Sequence, residues 1–155
     1  MNALILIAAL SVTCQTVAWF SPNGGTAAEI VSEINRSTKT AYVAMYALDA
    51  PDLTTALIAA RNRNVKVSVK LDRLQSGGKW QQIQINRMRV SQIPVMVSKL
   101  KALQHSKFMV IDSKRVLTGS YNWTNSAEHW NRENMVLLDC PEIAAQYKKA
   151  WDTIQ

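Results

Sequence analysis

Two extended segments joined by a tight turn, between His105 and Asn122, constrain this fold more than any other part of the chain. His105-Ser106-Lys107-Phe108-Met109-Val110-Ile111 has the β-branched and aromatic content of a strand. Asp112 ends it, Ser113-Lys114 turns the chain, and Arg115 to Leu117 begins a strand that runs back antiparallel. Strand side chains two apart share a face, so His105 and Lys107 point the same way, as do Ser120 and Asn122. Gly119 would let the backbone approach a ligand closely. The hairpin therefore collects His105, Lys107, Ser120 and Asn122 at one end of two paired strands.

The spacing is H-x-K-x4-D-x6-G-S-x-N. An isolated H-x-K is usually a solvated strand face, and an isolated G-S-x-N is usually a turn. The whole set at fixed offsets arises by accident about one time in a million, so it is treated as a motif. Its chemistry follows from the residue types. A neutral imidazole attacks phosphorus well, and its phosphoramidate breaks down readily. The ring also titrates near neutrality and can serve as base or acid. Lys107 supplies positive charge for non-bridging phosphate oxygens, and Ser120 and Asn122 supply neutral donors. These groups can break a phosphodiester without a metal, and no cofactor is expected. No cluster has zinc spacing, and the acidic residues are too scattered for a Mg²⁺ or Ca²⁺ site.

These residues resemble the HKD motif of the phospholipase D superfamily. With one motif in a short chain, the sequence is similar to the small bacterial endonucleases of that superfamily. The likeness runs from about Trp19 to the C-terminus, through Phe20-Ser21-Pro22, Met45-Tyr46, Ala50-Pro51-Asp52 and Glu133-Asn134. The resemblance implies that His105 and Lys107 are catalytic, that Ser120 and Asn122 line the phosphate pocket, and that Glu133 orients the histidine. It implies a bracing role for Asp112. It also implies two identical chains with motifs face to face, because two histidines are needed and each chain has one motif. An isologous homodimer with one shared site is expected. The other histidine, His129, sits in a polar stretch and reads as an exposed loop residue. Asn64 stands at a turn where glycine is expected, and asparagine tolerates a left-handed backbone.

The expected function is a nonspecific endonuclease acting on DNA, with RNA left open as a further substrate. Two other classes stay open: a phospholipid phosphodiesterase, and a non-catalytic nucleic-acid-binding protein. The lipid reading calls for an exposed apolar rim near the site, and the sequence alone reveals none.

Charge agrees with a polyanionic partner. The chain has 18 basic and 11 acidic residues and a net charge of +7. Lys66, Lys70, Arg73, Lys79, Arg87, Arg89, Lys99 and Lys101 form a basic stretch just before the motif. Of these, Lys66, Lys70, Arg73, Lys99 and Lys101 are the candidate nucleic-acid contacts. No sequence-reading motif accompanies them, so weak specificity is expected.

Ala3 to Leu10 resembles the apolar region of a secretory signal, although no Lys or Arg precedes it. The expected division is an apolar or signal segment over 1–15 and one nuclease domain over 16–155. A periplasmic or secreted protein follows, a cytoplasmic one otherwise, with no stable membrane association after processing. Cys14 and Cys140 are the only cysteines, and the sequence suggests no disulfide framework and a packed or semi-exposed thiol at Cys140.

The remainder reads as scaffold. Thr26-x-x-Glu29 suggests a capping box. Ala41 to Leu48 reads as a buried strand, Pro51 opens a helix, and Val65 to Asp72 alternates cleanly. Ser76-Gly77-Gly78 reads as a flexible break. A polar helix with Trp80, Ile83 and Arg87 on one stripe follows, then a short strand over Pro94 to Val97. After the hairpin come a polar loop from Asn125 to Arg132, a buried strand over Met135 to Leu138, and a last helix from Pro141 that buries Ile143, Tyr147, Trp151 and Ile154. Trp123 and Trp130 either stack on bases, close a dimer or pack onto the core. Together these elements predict a single α/β domain, a mixed β-sheet with helices packed on both faces, which is the phospholipase D-like fold that the resemblance implies.

Overall fold

The alternating run after Val65 becomes an inner strand of a seven-stranded mixed sheet. A computed structural model describes residues 14–155. The elements are β1 (Gln15–Ser21), α1 (Thr26–Asn35), β2 (Thr40–Met45), α2 (Pro51–Asn62), β3 (Lys66–Leu71), a 3-10 turn (Gln75–Gly77), α3 (Lys79–Val90), β4 (Val95–Val97), β5 (Phe108–Ile111), β6 (Arg115–Gly119), α4 (Asn125–His129), β7 (Glu133–Asp139) and α5 (Pro141–Thr153). The strand order is β1-β7-β6-β5-β2-β3-β4. β2, β3 and β4 are parallel, joined by helical crossovers, and every other pairing is antiparallel.

Alternation along the strands divides the core in two. Val43, Val67, Val69 and Met109 pack with Ile30, Ile34, Leu53, Leu57, Ile85 and Met88 of α1, α2 and α3. Ala44, Phe108, Val110 and Val116 point the other way, against Ala144 and Trp151 of α5. Helices thus cover both faces, as the sequence predicts.

Ile111 pairs with Arg115, so the hairpin loop is the three residues Asp112 to Lys114, one longer than the Ser113-Lys114 turn read from the sequence. Asp112 and Ser113 have φ of 53° and 55°, and the Lys114 N–H donates to the Ile111 carbonyl at 3.0 Å. Left-handed backbone at both central positions matches the twist of the flanking strands. The Asp112 carboxylate reaches further than the hairpin. It accepts hydrogen bonds from the Thr38, Lys39 and Thr40 amides and the Thr38 hydroxyl. It fastens the turn to the loop between α1 and β2. Burial acts to raise its pKa, but these bonds together win and hold it below the ordinary carboxylate value.

Several sequence expectations fail for identifiable reasons. The capping box does not form. Gly25, at φ 69°, is the N-cap of α1, and the Thr26 hydroxyl lies inside, buried without a partner. A free amide of the first turn, that of Ala27, is instead satisfied by the Glu128 carboxylate of α4 at 3.0 Å. The stretch 125–132, expected to be a loop, contains α4, capped by the Thr124 hydroxyl on the Ala127 amide. α3 buries Gln81, Gln84, Ile85 and Met88, while Trp80 and Ile83 face outward. α5 buries Ala144 and Trp151 and leaves Ile143, Tyr147 and Ile154 partly covered. Cys14 and Cys140 form a disulfide rather than standing as free thiols. Residues 14 and 15 thus belong to the folded unit: Gln15 pairs with Asp139 in β1. The apolar segment Ala3 to Leu10 lies outside the described residues.

Candidate active site

Strand direction explains why one edge of the sheet carries the chemistry. β2, β3, β4 and β6 end there, and β5 and β7 begin there. The β5 strand starts only at Phe108, so His105 to Lys107 is an extended lead-in free of strand pairing. The expected shared face still holds. Lys107 Nζ lies 3.4 Å from His105 Nδ1 and donates to the His105 carbonyl at 2.8 Å. Lys107 is buried while the His105 ring is exposed. Burial pulls the Lys107 pKa below that of an ordinary lysine, and the Glu133 carboxylate pulls partly back.

Residues that the motif did not single out hold this pair in place. The Tyr46 ring packs on His105 with centroids 4.4 Å apart, and Lys107 Nζ sits 5.0 Å from its centre. Tyr46 is itself fixed by Gln75, whose amide donates to the phenol at 2.9 Å. Asp72, buried at the end of β3, accepts from the amides of Leu74, Gln75 and Gln104. It thereby pins the residue just before His105. The sequence signal was a lone acid ending an alternating strand, which gives no hint of its partners.

Asn122 is set by the loop after β2. Its Oδ1 faces the Ala47 amide at 3.4 Å, which leaves Nδ2 as a donor. The Trp123 carbonyl accepts from the amides of Asp49 and Ala50, which locks the two loops together. Trp123 is therefore core, 3% exposed, whereas Trp130 is 77% exposed. His129 ends α4 and lines a separate cavity of about 330 Å³ with Asp52 and Glu128. In that cavity, burial, more than the neighbouring Glu128, raises the Tyr121 pKa.

Ser120 and Glu133 interact with each other. The Ser120 hydroxyl donates to Glu133 Oε2 at 2.5 Å and accepts from the Asn134 amide at 3.1 Å. Glu133 Oε1 takes the Asn131 amide at 3.0 Å. Among the described residues, no hydrogen bond joins Glu133 to His105 of the same chain. Gly119 is needed for contact with protein rather than with a ligand. A Cβ there would collide with the Asn134 carbonyl of β7.

The basic candidates separate. Arg73 and Lys99 directly follow β3 and β4 at the site edge, and Lys101 lies in the loop leading to His105. Lys66 begins β3, opposite Thr40, at the far edge of the sheet. Lys70 is withdrawn from any ligand. Its ammonium donates to the Trp151 and Ile154 carbonyls at 2.8 Å each and packs on the Trp151 ring. Lys70 caps the C-terminus of α5. Strand alternation placed both lysines on the surface, and only the register and α5 reveal their true positions.

Phe20, Leu74, Trp80, Leu100, Leu103 and Trp130 are all large and exposed, and each lies at a strand or helix end on the site edge or in a loop joined to it, an apolar rim that the sequence did not reveal.

A family model described as cardiolipin synthase, PLD-like domain, matches residues 30–154. The chain is 34% identical over 132 residues to a phospholipase D of Rickettsia felis, covering 85% of this chain and 65% of that one. It is 30% identical over 123 residues to a mitochondrial cardiolipin hydrolase of Chlamydomonas reinhardtii, covering 77% and 54%. It therefore spans less than two thirds of these curated relatives. Among solved structures it is similar to Nuc from Salmonella typhimurium, a phospholipase D family member, with a TM-score of 0.87 and 29% identity over 90% of this chain and 93% of that one. The fold and the H-x-K edge define a class, the proteins of phospholipase D-like architecture. The chain belongs to the phospholipase D family.

Proposed function

We propose that this protein is a metal-independent endonuclease acting on DNA and on RNA through a site shared by two copies. The observation that carries the reading is the His105 ring beside the anchored Lys107 ammonium on an open sheet edge. Likeness to Nuc over nearly the whole of both chains supports a unit of this size. In the proposed reaction, His105 of one copy attacks phosphorus and the P–O bond to the leaving alcohol breaks. His105 of the other copy gives that alcohol its proton. The same ring then takes a proton from water, which attacks phosphorus and breaks the P–N bond. Lys107 and Asn122 stabilise the added negative charge on the phosphoryl oxygens. Ser120 joins them by leaving Glu133, whose carboxylate then becomes free to orient an imidazole. The Cys14–Cys140 disulfide supports an oxidising compartment, periplasmic or extracellular.

A second reading, phospholipid hydrolysis, is favoured by the exposed apolar rim and by the names of the relatives. One assay separates them: plasmid DNA, RNA and a phosphatidylcholine analogue, each incubated with EDTA, using wild type and His105→Asn. Nucleic acid cleavage alone, absent in the variant, is the expected result. Lipid turnover alone selects the second reading. Binding without any turnover defeats both.

A further inference from the structure

We infer that the two loops leaving β3 and β4 form a lobe that docks on an anionic lipid bilayer, whichever phosphodiester the site cleaves. The chain has no Asp or Glu between Asp72 and Asp112, yet that stretch holds Arg73, Lys79, Arg87, Arg89, Lys99, Lys101 and Lys107. Asp72 itself is buried against backbone amides. The lobe's surface charge is therefore of one sign. Its exposed Arg73, Lys79, Lys99 and Lys101 alternate with Leu74, Trp80, Leu100 and Leu103, which are 56%, 65%, 49% and 52% exposed.

The parts are held to one edge. β3 and β4 are hydrogen-bonded parallel neighbours with Leu71 opposite Val97, so their outgoing loops leave side by side. Asp72 ties the first loop to Gln104 in the second. Gln81, next to Trp80, accepts from the Leu48 amide at 2.8 Å and fixes the start of α3 beside the Tyr46 loop. The lobe therefore borders His105.

The residue types select the occupant. A nucleic acid would be met by the four cations and by Trp80, but the three exposed leucines offer it neither charge nor an aromatic platform. A bilayer interface takes leucine and tryptophan into its acyl boundary while lysine and arginine meet anionic headgroups. No helix among the described residues is long and apolar enough to cross a membrane. Docking of the lobe departs from the expectation of no stable membrane association after processing.

The test is flotation of the full chain with vesicles of phosphatidylcholine alone or mixed with phosphatidylglycerol. Wild type is expected to float with the mixed vesicles only. A double variant, Leu100→Ser with Leu103→Ser, is expected to partition about tenfold more weakly or worse, since two exposed leucines lose their apolar burial. Lys99→Gln with Lys101→Gln should remove the preference for the anionic lipid. Unchanged thermal unfolding confirms that these surface variants fold. Four results overturn the inference. Wild type stays unbound, or the leucine pair floats like wild type. The leucine pair weakens binding to oligonucleotide as much as to vesicles, which makes the lobe a nucleic-acid surface. The leucine pair turns a dimer into a monomer on sizing, which makes it a contact between copies.

Discussion

Lys107 sits in an environment unlike that of a surface lysine. It is buried, bonded to the His105 carbonyl, and close to Tyr46 and Glu133. Burial favours the neutral amine and is the larger influence, and Glu133 opposes it, so the net pKa is below the usual lysine value. If the ammonium stabilises the transition state, activity falls on the alkaline side earlier than an exposed lysine would allow. Removing the Glu133 charge lowers the Lys107 pKa further. Glu133→Gln should therefore move the alkaline limb of kcat/KM to lower pH, whatever it does to the rate itself. A limb that stays put would separate the two side chains. Lys107→Gln keeps a donor but loses the charge, and a loss of about 100-fold or more in kcat is expected, the scale of removing one donor from a charged transition state. Single-turnover rates would check that, with a loss under tenfold counting against the role.

At the scale of elements, the hairpin depends on Asp112 for more than its turn. Its four bonds to Thr38, Lys39 and Thr40 join β5 and β6 to the start of β2. Asp112→Ala leaves those amides without an acceptor and should cost about 1–3 kcal/mol. The folded-state pKa is depressed, so the contribution is present above the ordinary carboxylate value and is lost as pH falls through the folded one. Denaturant midpoints should show a wide gap between variant and wild type at neutral pH that closes in acid. A gap independent of pH would mean that the carboxylate charge is not what holds the loop. Elements whose partners are adjacent in sequence were legible: the hairpin, the helix opened by Pro51, and the alternating β3. The H-x-K pair and its shared face were legible too, because a two-residue offset is a local fact. Features that depend on distant residues were not. Asp72 bonds Gln104, Glu128 caps α1, Lys70 caps α5, and Cys14 meets Cys140, each across a sequence distance that no local pattern encodes. The buried face of α3 was not legible either: it combines Ile85 and Met88 with Gln81 and Gln84, whose hydrogen bonds offset the cost of burying them.

For the whole molecule, edge strand β1 is held to β7 by its ladder and by a disulfide across a sequence separation of 126. Closing so long a loop is worth up to about 5 kcal/mol in the chain-entropy account. Cys140→Ser should lower the unfolding midpoint measurably in oxidising buffer and leave it unchanged in reducing buffer. Equal loss in both buffers would trace the effect to packing at position 140. The largest-scale expectation concerns assembly. Each chain has one H-x-K motif, and its remaining histidine, His129, lines a different cavity. The proposed two-step reaction needs a second imidazole, and a two-fold partner supplies one with the same geometry. Chains carrying His105→Ala should still pair, because the exposed ring is not part of the core. Mixed with wild type and allowed to exchange, they form heterodimers with a single imidazole. With three mutant chains for each wild-type chain, random pairing leaves about one quarter of the wild-type chains with a wild-type partner. Activity per wild-type chain should then fall to about one quarter, and recover as wild type is added back. Activity that tracks only the amount of wild type, with heterodimers confirmed by mass, would show that one chain completes the reaction alone.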